Sequence, residues 1–135
     1  MEDYTDKIQS AQYAIDELSI PAVRITKEIG VIPLVGEIDT HRAQILMENA
    51  LKQGNTYKLS WLIIDLSAVP IIDTMVADQL FKVVAALKLI GIDVVLSGIR
   101  SEIALTMVQL GVNLNDIVTF NSLYGALNYI SSRMQ

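Results

Sequence analysis

The stretch WLIIDLSAVPIIDTMVADQL, Trp61 to Leu80, holds the two patterns from which the fold is read. Trp61 to Ile64 form an unbroken apolar run ending at Asp65, the pattern of a strand covered on both faces. After Pro70 the period changes. Val76, Leu80, Val83, Val84 and Leu87 recur at helical spacing, and Gly91 closes the element. A second short apolar run, Val94 to Ser97, follows. Strand, long helix, strand in this rhythm predicts a crossover between parallel strands.

Upstream, Ala22 to Thr26 and Gly30 to Val35 are short β-prone runs separated by Lys27 and Glu28, which predicts an antiparallel pair at a sheet edge. Asp39 or Thr40 then caps a helix that places Ala43, Leu46, Met47, Ala50 and Leu51 on one face and stops at Gly54 and Asn55. Downstream, a third helix follows Arg100 with Ile103, Ala104, Met107 and Leu110 inward and Gly111 as its stop. Ile117 to Thr119 supply a last strand, and Leu123, Ala126, Leu127, Ile130 and Met134 outline a final helix. The expected fold is α/β: a mixed sheet of four to five strands, mostly parallel with an antiparallel edge, packed with about four helices. Residues 21–135 are expected to form this domain and residues 1–20 a helical linker, in which Ile8, Ala11, Ile15 and Leu18 make a narrow stripe ended by Pro21; the stripe reads equally as a dimer-forming linker to an upstream domain or as a helix lying on its own domain.

Composition narrows the function classes. The chain has 135 residues, 52% of them hydrophobic and 19% charged, enough to bury one core. A net charge of −5, with lysines and arginines scattered singly, argues against nucleic acid as a partner. No apolar run reaches the roughly 18 residues of a membrane span, and the N-terminal MEDYTDKIQS is acidic and polar; a cytoplasmic protein without membrane association is expected. Cysteine is absent and His41 is the sole histidine, so neither a metal site nor a cofactor is expected. Ser67, Ser97 and Ser101 have no triad partner other than His41, and neither GxGxxG nor GxxxxGK[ST] occurs. A catalytic reading has little support, and the expectation is that the chain is not an enzyme.

The constellation singled out is the segment leaving the buried strand, Asp65 to Thr74. Function in open α/β sheets gathers at the carboxyl ends of strands. Asp73 is placed as N-cap of the long helix, which puts Thr74 in its first turn with Met75 and Val76. Backbone N–H groups and the positive end of the helix dipole favour a phosphate there, while Asp73 opposes it by charge repulsion. The competing reading of Asp73 and Thr74 is a helix cap only. Ser101 is a second candidate cap, beside Arg100, which suits a carboxylate or phosphate.

Three strings, PLVGEIDTHRA at Pro33 to Ala43, IIDLSAVPIIDTMVADQL at Ile63 to Leu80 and GIRSEIALTMVQLGV at Gly98 to Val112, together resemble the C-terminal STAS domain of RsbR-type stressosome scaffold proteins. The resemblance spans roughly Leu18 to Ile130. It implies a phosphorylatable scaffold domain that binds and sequesters an RsbT-like serine/threonine kinase in the general stress response. It implies RsbS-like STAS proteins as further partners, in a homodimer or a larger stressosome-type assembly. Thr74 matches the first phosphoacceptor of those proteins and Thr106 the second; the competing reading of Thr106, which periodicity sets beside the buried stripe, is a helix-surface threonine. Asp39, Thr40, Arg42, Asp78, Arg100 and Glu102 are the candidate partner-docking residues, and Asp73, Met75 and Val76 the phosphate-supporting cap. Ser101 stands where such proteins often carry proline. They also usually carry an N-terminal sensory domain, which is not recognised here, so no input signal is assigned.

Two other classes compete. WLIIDLSAVP is similar to the receiver-domain strand that ends in a phosphoacceptor aspartate, here Asp65, but Val31 to Gly36 offer no acidic pair for a magnesium ion, and no lysine follows Lys88. The alternative function is a nucleotide- or small-ligand-binding STAS module, with its cleft in the strand-end loops.

Overall fold

The run at Trp61 is the middle strand of a five-stranded sheet. The computed structural model describes residues 22–111 and 113–134; the expected linker helix at 1–20 lies outside them. The strands are β1 (Val23–Arg24), β2 (Ile29–Val35), β3 (Trp61–Ala68), β4 (Asp93–Ser97) and β5 (Val118–Thr119), in the spatial order β1-β2-β3-β4-β5. Only β1 is antiparallel to its neighbour, with Val23 opposite Val31. The remaining pairs are parallel, with Asp65 opposite both Pro33 and Ser97. The helices are α1 (Thr40–Tyr57), α2 (Thr74–Leu89), α3 (Ser101–Gln109) and α4 (Leu123–Arg133), with a short 3-10 turn at Leu114–Asp116. No helix among the described residues is long and apolar enough to cross a membrane.

Alternation along the strands divides the core in two. Ile32, Leu34, Leu62, Ile64, Leu66, Val94 and Leu96 face the larger cluster, which α1, α2 and α3 complete with Leu46, Val76, Leu80, Val83, Leu87, Ile103 and Met107. Ile29, Val31, Ile63 and Val95 face the opposite side, where Ala126 and Ile130 of α4 cover them. Strands β2 to β4 are therefore apolar on both faces, which is why their sequences read as runs and not as alternations. The five residues named for the inward stripe of α2 are all buried, each burial contributing about 1.5–3 kcal/mol.

Several sequence expectations are corrected. The first helix continues through Gly54 to Tyr57 and ends on Lys58 in the left-handed region, φ 52°. Gly54 is a contact, not a stop: a Cβ there would lie 2.5 Å from Ile92 Cδ1. The edge pairing is shorter than the runs suggested, because β1 holds only Val23 and Arg24. Ser101 does not cap α3; Arg100 occupies the N-cap position without a side-chain cap bond, and Ser101 Oγ lies 3.3 Å from Glu102 Oε2. Met134 falls beyond the last helix and is exposed.

Candidate functional site

The carboxyl ends of β2, β3 and β4 carry the loops into α1, α2 and α3. Asp73 has extended backbone (φ −88°, ψ 174°), and its Oδ1 accepts from Val76 N at 2.8 Å while its carbonyl receives Ala77 N at 3.0 Å. This is a side-chain N-cap. Thr74 is the first residue of α2 and is exposed, as is Met75. Val76, expected to support a phosphate, is buried, and its amide is already taken by Asp73. The amides left in that first turn for an added anion are those of Thr74 and Met75.

The loop into α1 repeats this arrangement. Asp39 Oδ1 accepts from Arg42 N at 2.8 Å, with Thr40 exposed as the first residue of the helix. Arg42, expected at a docking surface, uses its Nη1 internally, donating to the carbonyls of Val35 at 2.8 Å and Glu37 at 2.7 Å. It pins the loop between β2 and α1. The two capped helix starts flank one cleft of about 310 Å³, lined by Glu37, Ile38, Asp39, Ile71, Ile72 and Asp73. Asp39 and Asp73 are thus brought together. Asp78 lies in α2 in an exposed ion pair with Lys82 at 3.0 Å, worth little to stability. Arg100 and Glu102 are exposed at the start of α3. The Glu102 carboxyl group is held below its ordinary pKa chiefly by its own backbone N–H, against slight desolvation, with smaller help from Ser101 and Arg100.

Thr106 is not the surface threonine its spacing suggested. It is buried at 9% exposure, and Oγ1 lies 3.1 Å from the Ile72 carbonyl and 3.2 Å from the Glu102 carbonyl. Underneath the loop, Asp65 is also 9% exposed; its carboxyl oxygens accept from Ser97 Oγ at 2.6 Å and Ser67 Oγ at 2.5 Å. Gly98 allows this close approach: its φ is +72°, and a Cβ would meet Ser67 N at 2.4 Å. The Asp65–Ser97 bond and the Thr106–Ile72 bond were invisible in sequence, because their partners are 32 and 34 residues apart. Only the strand register brings the first pair together.

Known proteins share both sequence and fold with this chain. The STAS domain family matches residues 21–126. The RsbT co-antagonist protein RsbRD of Bacillus subtilis is 50% identical over 121 residues, 90% of this chain and 44% of that protein. RsbRB of the same organism is 46% identical over 123 residues, 91% of this chain and 44% of its own length. The chain thus spans less than half of these relatives. Among solved structures, an RsbS variant of Moorella thermoacetica superposes with a TM-score of 0.74 at 23% identity, covering 86% of this chain and 100% of that one. A chain of the stressosome, a signal integration and transduction hub, gives 0.71 at 23% identity, covering 85% of this chain and 99% of its own. With the match running from the edge strand into the last helix, over the sheet and the loops just described, the chain belongs to the STAS domain family.

Proposed function

We propose that this chain is a non-catalytic signalling and scaffold domain of the general stress response, which captures a serine/threonine kinase and releases it when Thr74 is phosphorylated. The observation that carries the reading is the exposed hydroxyl-bearing residue at the first position of α2, just after a side-chain cap. A phosphoryl group on Thr74 meets the amides of Thr74 and Met75 and the positive end of the α2 dipole. It also brings negative charge beside Asp73 and the acidic cleft, where Glu37 and Asp39 already stand. The helix start stabilises the phosphate locally while the cleft changes its charge towards a partner, which is the behaviour a release switch needs.

The likeness to the RsbT co-antagonist proteins supports an RsbT-like kinase as that partner. RsbS-like STAS proteins, in a homodimer or larger assembly in the cytoplasm, are the further partners in this reading, and the fold shared with RsbS and with a stressosome chain is compatible with such an assembly. Exposed Ile71 and Met75 beside Thr74 offer apolar surface for docking. Thr106 is the second proposed acceptor; its burial makes Thr74 the one a kinase reaches first. Nucleotide binding takes second place, since the cleft at the strand ends is lined by three carboxyl groups and no base, a poor match for a triphosphate. Incubation with an RsbT-like kinase and ATP, followed by mass-spectrometric mapping, is expected to place phosphate on Thr74; a chain unlabelled there after full turnover of the kinase on a control substrate contradicts the assignment.

A further inference from the structure

We infer that Thr106 is a positioning residue for Thr74: its hydroxyl holds the backbone just ahead of the acceptor, so that α3 governs how the first turn of α2 is presented. A threonine inside a helix ordinarily bonds the carbonyl four residues back, and for Thr106 that carbonyl, of Glu102, lies at 3.2 Å. The hydroxyl also lies 3.1 Å from the Ile72 carbonyl, in another part of the fold. That contact ties α3 to the residue that precedes the cap of α2. Ile72 is itself anchored, with its side chain 4% exposed in the larger core cluster.

From Ile72 the linkage is short. The next residue is Asp73, whose carboxyl group caps Val76 N and whose carbonyl starts the α2 ladder at Ala77 N. Thr74 follows directly. A shift of the Ile72 peptide therefore moves the cap and the acceptor together.

The same geometry fixes what modification of Thr106 does. Transfer of the γ-phosphoryl group of ATP forms an Oγ1–P bond, releases ADP and sheds the hydroxyl proton to solvent. The donor is then gone, and a dianion faces two carbonyl oxygens, those of Ile72 and Glu102. Both are acceptors. The contact between α3 and the loop must open, so a phosphate on Thr106 acts on Thr74 by releasing its backbone. This inference rests on Thr74 being the acceptor, but the latch itself is measurable without any kinase.

The test compares the full chain with its Thr106→Val and Thr106→Ser variants by amide hydrogen exchange. Valine keeps the shape and removes the donor; serine keeps the donor. Val76 and Ala77 amides are expected to exchange about tenfold faster in the valine variant, the effect of one lost hydrogen bond, and at the parent rate in the serine variant, with Ile63 and Ile64 of β3 unchanged in both. The rate of Thr74 phosphorylation by the kinase is expected to change with valine and to be restored by serine. Parent-like protection of Val76 and Ala77 in the valine variant overturns the latch whatever the kinase does. Loosened protection with no phosphate on Thr74 in any variant upholds the latch and removes the acceptor reading instead.

Discussion

Asp65 and Ser97 stand directly opposite each other on β3 and β4, and the serine hydroxyl donates to the aspartate carboxyl group at 2.6 Å. Both are buried, Ser97 completely. A buried polar group left without its partner costs far more than the bond is worth in water. Ser97→Ala should therefore destabilise the fold by about 1–3 kcal/mol, seen as a lower urea midpoint at constant slope. Ser67→Ala should cost less, because Ser67 is exposed and water can replace its hydroxyl. Equal, negligible effects from both would show that the pair does not tie the strand ends together.

Gly54 predicts a coupling. Alanine in place of a helix-interior glycine ordinarily stabilises by about 1 kcal/mol, but here the new methyl carbon would lie 2.5 Å from Ile92 Cδ1. Gly54→Ala should destabilise the parent chain and should do so less, or stabilise, in an Ile92→Val background that lacks Cδ1. Thermal unfolding of the four proteins closes the double-mutant cycle. Additive effects would place the clash elsewhere.

The cap of α2 is separable from its charge. Asp73→Ala should lower stability by about 1 kcal/mol, whereas Asp73→Asn should leave it nearly unchanged, since asparagine caps as well. In the phosphorylated chain the asparagine variant should be the more stable of the two carriers, having lost the like charge next to Thr74. Calorimetry on both forms measures this.

Glu102 titrates below the ordinary glutamate range, chiefly through its own backbone N–H. A group whose folded pKa is depressed stabilises the fold above its unfolded pKa, and that contribution disappears as pH falls through the folded value. Nuclear magnetic resonance should give a Glu102 midpoint lower than that of an unstructured peptide, moving upward in Ser101→Ala and in Arg100→Gln. A midpoint at or above the peptide value contradicts the geometry of the α3 start.

Much of this architecture was legible in sequence because it rests on local rules. The apolar runs at Trp61 to Ile64 and Val94 to Leu96 gave doubly covered strands, the period from Val76 to Leu87 gave α2, and Asp73 gave its cap. Errors arose where a local signal met a distant partner. Gly54 reads as a helix stop until Ile92 packs against it. Ser101 reads as a cap, yet it falls one position late and Arg100 takes that place. Thr106 reads as a surface residue because nothing near it announces the Ile72 carbonyl. Nothing near Arg42 in sequence announces the loop carbonyls of Val35 and Glu37 that take its Nη1.

Retention of an RsbT-like kinase on the immobilised chain, before and after ATP, tests the central claim most directly. The parent and Thr74→Ala proteins should hold the kinase without ATP, ATP should release it from the parent alone, and Thr74→Asp should hold less from the outset. Equal retention by all three, unaffected by ATP, would contradict the account.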